Sequence, residues 1–125
     1  MRAGDTFYIS NRKVDSHLWI VISDPGIDAS RVVLVSVTTY EDYKESVCLL
    51  DVGDHPRVSH KSCIAYNEAR LTTLESLKSL QAVGSLNSQP PVSSDLLSRI
   101  RAGVSLSTRI RSELIDILLD QGVIE

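Results

Sequence analysis

Two apolar runs, His17-Leu18-Trp19-Ile20-Val21-Ile22 and Arg31-Val32-Val33-Leu34-Val35-Ser36-Val37-Thr38, constrain this chain more than any other feature. Both are rich in β-branched residues, which suit a pleated surface better than a helix. Neither alternates apolar with polar, as a strand with one wet face does, so both are expected to be central strands covered on both faces. Between them "SDPGIDAS" is dense in turn residues and breaks the chain.

Around this pair the first half of the chain keeps changing rhythm. Thr6-Phe7-Tyr8-Ile9 reads as a first strand, followed by a polar loop, "SNRKVDS". Ser46–Leu50 and Ser62–Tyr66 read as two more, on either side of the turn sequence "GDHPRVSH". Past residue 70 the period becomes helical: Thr72 and Glu75 have the spacing of a capping box, predicting a short helix that carries Leu74, Leu77 and Leu80. Gly84 and "NSQPP" are expected to end regular structure. From Ser93 or Ser94 as N-cap, Leu96, Leu97, Ile100 and Val104 recur at helical spacing, as do Ile110, Leu114, Ile117 and Leu118. Gly103 and "SLST" between the stripes leave open one bent helix or two. Arg99, Arg101, Arg109 and Arg111 are expected on solvated faces.

The whole predicts one domain over residues 1–125, mainly β with α: a small, partly open β barrel over 4–90, including the short helix, and a C-terminal helical segment of one or two helices over 93–121. At 125 residues and 42% hydrophobic, the chain has enough for one core without staples. Cys48 and Cys63 sit in apolar stretches and read as reduced core thiols. No apolar run approaches the ~20 residues that cross a bilayer, and the N-terminus lacks the apolar region of a signal peptide, so the expectation is a cytoplasmic protein with no membrane partner. A net charge of −3 means that nucleic acid would have to be held by a local basic face.

The order of segments is similar to a known family. "GDTFYI", "HLWIVISD", "RVVLVSVTT" and "KSCIAYNEARLTTLESLKSL" resemble the PemK/MazF plasmid-maintenance toxins over residues 4–106. The resemblance implies an SH3-like barrel acting as a ribosome-independent, metal-independent endoribonuclease on single-stranded RNA, with no cofactor. It also implies a homodimer, and an antitoxin protein whose disordered tail occupies the RNA groove. Gly4-Asp5 match the family's opening Gly-Asp. Thr38, followed by Thr39, falls where the family keeps a hydroxyl in its active site, and Arg70 falls on a family arginine, here preceded by Glu68-Ala69. At the head of the second strand the family has Arg-Pro, the arginine being catalytic; this chain has His17-Leu18.

Metal-free RNA cleavage needs a base for the 2′-hydroxyl, an acid for the 5′ oxygen and positive charge near the phosphorane oxygens. Histidine serves as base or acid near neutral pH but is a poorer permanent cation than arginine. With His17 and Thr38 at the scissile group, Arg31, Arg57, Lys61 and Arg70 are the candidates to hold phosphates, and Tyr66, at a strand end, reads equally as a core residue or as facing the ligand. For "GDHPRVSH" three readings compete: a turn whose histidines satisfy local carbonyls; His55 or His60 at the barrel mouth beside His17; and a metal site built on His17, His55 and His60. Beside the endoribonuclease stand a catalytically inactive barrel that binds a peptide or nucleic acid, and a metal-dependent enzyme of the three histidines.

Overall fold

A computed structural model describes residues 1–10 and 17–125; apart from Ser10, the polar loop expected at 10–16 lies outside them. The strands are β1 (Thr6–Ile9), β2 (Leu18–Val21), β3 (Val32–Thr39), β4 (Leu49–Leu50), β5 (Ser62–Ile64), β6 (Arg70–Thr72) and β7 (Leu86–Gln89). The helices are α1 (Leu74–Ala82), α2 (Ser94–Val104) and α3 (Ser112–Asp120), with a single 3-10 turn at Tyr66–Glu68. All strand pairs are antiparallel, in the order β4-β5-β3-β2-β1-β7, and β6 lies beside the first half of β3. The chain is mainly β with α, as expected, and the sheet is open, with β4 and β7 at its two ends.

The two central runs behave as their composition dictates. Ile20, Ile22, Val33 and Val35 enter one apolar cluster with α2 and α3, while Trp19, Val21, Val32 and Leu34 enter a second with Phe7, Leu86 and Leu77 of α1. Successive side chains of a strand point to opposite faces, so continuous apolarity is what a sheet covered on both sides requires. β3 is long enough to serve two partners end to end: Val32–Leu34 pair with β6 and Val37–Thr39 with β5, the 3-10 turn bridging the interval.

Several local expectations shift. The strand expected to run to Tyr66 stops at Ile64, and the one expected from Ser46 is reduced to Leu49–Leu50. The capping register is one residue later than predicted: Thr72 ends β6, and Thr73 caps α1, its Oγ1 accepting from the Ser76 amide at 3.0 Å. Where "NSQPP" was expected to be loop, β7 pairs with all of β1, and the prolines fall just past its end. An edge strand on β1 needs only its backbone and one buried anchor, Leu86, so it carries no apolar alternation to read. The C-terminal segment is two helices; Ser93 caps α2 by accepting from the Leu96 amide.

Arg99, Arg109 and Arg111 are exposed, as expected, and Arg101 is half-buried; all four also hold backbone carbonyls. Arg99, Arg101, Arg109 and Arg111 donate to the carbonyls of Leu49, Ile22, Tyr43 and Ala69. Carbonyls of β4, of the residues after β2 and before β6, and of the loop at Tyr43 are thereby tied to the C-terminal segment.

Candidate functional site

The register of β2 on β3 pairs Leu18 with Val37, so His17, one residue earlier, faces Thr38 where β2 begins and β3 nears its end. These two residues form the divide between two adjoining surface hollows. The first, of about 360 Å³, takes in Tyr43, Lys44, Asn67, Glu68 and Arg109 beyond the divide and has Cys63 among its walls. The second, of about 220 Å³, takes in Tyr8, Thr39, Arg57 and His60.

Lys44 supplies the fixed charge at the divide. Its ammonium donates to Thr38 Oγ1 at 2.9 Å and to the Thr39 carbonyl at 2.7 Å. The loop that carries it is itself clamped by the connection between α2 and α3. Glu45 accepts from Ser107 Oγ at 2.7 Å and from the Thr108 amide at 3.0 Å, and Arg109 donates to the Tyr43 carbonyl at 3.0 Å. The segment "TTYEDYKES" is thereby tied to the helical layer, and Lys44 is held in the wall of the first hollow. Nothing in the sequence pattern singles it out, since its position depends on contacts with residues about sixty places away.

In the second hollow, His60 is exposed and lies 2.8 Å from Thr39 Oγ1 by Nε2 and 3.1 Å from Ser59 Oγ by Nδ1. Arg57 lines the hollow and donates from Nε to Gln89 Oε1 at 2.6 Å. Cys63 is buried, and that burial raises its thiol pKa against the pull of Lys44, so it stands as a neutral thiol rather than a nucleophile.

His55 belongs elsewhere. It is 4% exposed; its Nε2 lies 2.6 Å from the Pro90 carbonyl, and its Nδ1 accepts from the Arg57 amide at 3.0 Å. A carbonyl only accepts, so these partners assign the hydrogen to Nε2 of a neutral ring. Gly53, at φ +102, turns the chain ahead of it, and Asp54 Oδ2 accepts from the Asp51 amide. The turn is structural, and its service to the cleft is indirect: His55 fixes the backbone of Arg57.

Other expected ligands are also placed apart. Tyr66 takes the core rather than the ligand-facing place: it is 1% exposed, and its hydroxyl donates to the Ile100 carbonyl at 2.7 Å; burial raises its pKa far above the usual value. Arg31 sits before the opposite end of β3, bound to Asp28 at 2.7 Å and near Asp120 at 3.6 Å. At ~3.3 Å per residue, seven residues of strand put it about 23 Å from Thr38. Arg70 stacks on the Trp19 ring, 4.6 Å from its centre, opposite Leu34, and lines neither hollow. Lys61 lies over the Tyr40 ring at 5.0 Å, also outside the hollows. His17 and His60 share a hollow while His55 does not; among the described residues no three His, Cys, Asp or Glu side chains gather as a metal would need.

Of the expected site residues, the fold thus brings together His17, Thr38, Thr39, Arg57 and His60. It adds Lys44, Arg109, Tyr43 and Tyr8, which the sequence reading did not single out as ligands. Comparison of the chain with known protein families matches none of them, and comparison with curated proteins likewise gives no match.

Proposed function

We propose that the cleft at His17 and Thr38 cuts single-stranded RNA without a metal ion, in the manner of the PemK/MazF toxins that the sequence resembles. The observation that carries this reading is the divide itself: an imidazole and a hydroxyl face each other across two strand ends, with Lys44 bonded to that hydroxyl and Arg57 and Arg109 to either side. His17 takes the proton of the 2′-hydroxyl, whose oxygen attacks phosphorus. The P–O5′ bond breaks, a 2′,3′-cyclic phosphate forms, and His60, across the same hollow, gives a proton to the departing 5′ oxygen. Lys44 balances the charge that grows on the phosphorane oxygens, and Arg57 and Arg109, to either side, hold the flanking phosphates. Lys44 supplies the permanent cation that the exchange of the family's arginine for His17 removes. A homodimer and an antitoxin partner in the cytoplasm complete the reading.

The test is the chemistry of the ends. Purified protein in EDTA is expected to leave 2′,3′-cyclic phosphate and 5′-hydroxyl termini, and a single 2′-deoxy substitution at a cut site is expected to abolish that cut. Hydrolysis of the deoxy substrate at the same place would rule out 2′-hydroxyl attack.

A second reading, an RNA-binding cleft without cleavage, draws on one observation. His60 is tied to both Thr39 and Ser59, and an acid so bonded has to give up one of those partners to reach substrate.

A further inference from the structure

Each hollow holds one tyrosine and one arginine. Tyr43, 69% exposed, stands with Arg109 in the first, and Tyr8 stands with Arg57 in the second, with His17 and Thr38 between them. A single strand presents base, phosphate and base in succession, and exposed aromatic rings offer bases a surface to stack on whatever their identity. The hollows differ in one respect that a base edge would sense: the first contains carboxylates, Glu45 and Glu68, and the second none among the described residues.

We infer that the cleft takes two consecutive nucleotides, one base against Tyr43 and the next against Tyr8 with the phosphate between them at the divide, and that the first hollow selects guanine. The selector is Glu68. Glu45 is committed to Ser107 and Thr108, whereas Glu68 is exposed on the hollow's rim and makes no ion pair among the described residues. Guanine is the base whose pairing edge offers a carboxylate two adjacent N–H donors, N1 and N2. Uracil offers one, and adenine and cytosine set a ring acceptor beside their amino group, which a carboxylate repels. Asn67, next to Glu68 in the same hollow, has an amide N–H to offer guanine O6. This inference rests on the reading of the cleft as an RNA site and is independent of whether RNA is cut there.

The test separates binding from cutting. Full-length protein is titrated against 2′-O-methyl oligouridines, which the proposed chemistry cannot cleave, carrying at one central position G, A, C or U, with fluorescence anisotropy as the readout. The G oligomer is expected to bind about tenfold more tightly than the all-U oligomer, within the worth of one bidentate pair. Glu68→Gln is expected to bring the G and all-U oligomers to equal affinity, and Tyr43→Ala to weaken every oligomer about fivefold or more. Equal affinity for G and U, a preference that survives Glu68→Gln, or no binding to any oligomer overturns the inference. Cleavage of matched 2′-hydroxyl oligomers is scored alongside. Cutting without a guanine preference removes this inference and leaves the proposed function. Guanine-selective binding without cutting removes the nuclease and leaves this inference standing.

Discussion

The two halves of β3 occupy different environments. Over Val32–Val35 the strand is buried on both faces, between α1 on one side and α2 with α3 on the other, and every side chain serves an apolar cluster. Over Val37–Thr39 it emerges: Thr38 and Thr39 turn hydroxyls toward Lys44 and His60, and Arg57 and Arg109 approach from distant parts of the chain. Even the buried polar atom between the halves marks the transition. Ser36 Oγ has no hydrogen-bond partner among the described residues. Apolar burial and polar exposure are thus divided along one strand, and substitutions in the two halves should fail in different ways.

The largest effect on stability belongs to the buried half. Leu118, fully buried in α3 beneath the sheet, should cost about 2–5 kcal/mol on change to Ala, read as a lower midpoint in denaturant unfolding. Any cleavage activity should persist below that midpoint. Somewhat smaller is overpacking at Gly103, where a Cβ would collide with the Tyr66 hydroxyl. Gly103→Ala is expected to cost about 1–3 kcal/mol, partly recovered in a Tyr66→Phe background, by the same measurement.

On the open half the expected losses are of affinity. If Lys44, Arg57 and Arg109 each neutralise one phosphate, the plot of log affinity for single-stranded RNA against log salt should have a slope of about −2, and Arg57→Ala should make it shallower by about 0.7. A slope unchanged in Arg57→Ala would take that residue out of the cleft. The smallest effect lies beyond the buried end of β3. The hydroxyl of Ser30, first, and then Arg31 hold the Asp28 carboxyl down to about 2, from 3.8. A carboxyl lowered by folding stabilises the native state above its unfolded pKa, and that contribution fades as pH falls from 3.8 toward 2. The difference in melting temperature between wild type and Asp28→Asn should therefore shrink over that interval, with RNA affinity unaffected at neutral pH.

The division along β3 also explains what was legible from sequence. The central strands announced themselves because burial on both faces demands unbroken apolar runs, and Ser93 announced α2 because a cap is a local device. β6 and β7 did not. Each is held by backbone pairing to a neighbour, and Arg70, Leu71, Asn87 and Ser88 remain exposed, so neither strand needed an apolar pattern. Within the site, His17 and Thr38 were singled out by the family resemblance, and the apolar runs that they bound place them at paired strand ends. Lys44 and Arg109 were not, because their approach depends on Glu45 meeting Ser107 across 62 residues. His55 misled for the opposite reason. A histidine beside Pro56 and Arg57 has the composition of a ligand, and only the fold shows both its ring nitrogens already engaged.

Those two histidines provide the most direct measurement. Wild type, His17→Ala and His55→Ala are incubated with a long unstructured RNA in EDTA at low salt, with folding checked by circular dichroism. The account predicts site-selective cuts by wild type, a loss of about 10²–10⁴-fold in His17→Ala with an unchanged melting temperature, and in His55→Ala a lower melting temperature with cutting retained by the folded fraction. Intact RNA with folded wild type, or cutting by His17→Ala at the wild-type rate, would contradict it.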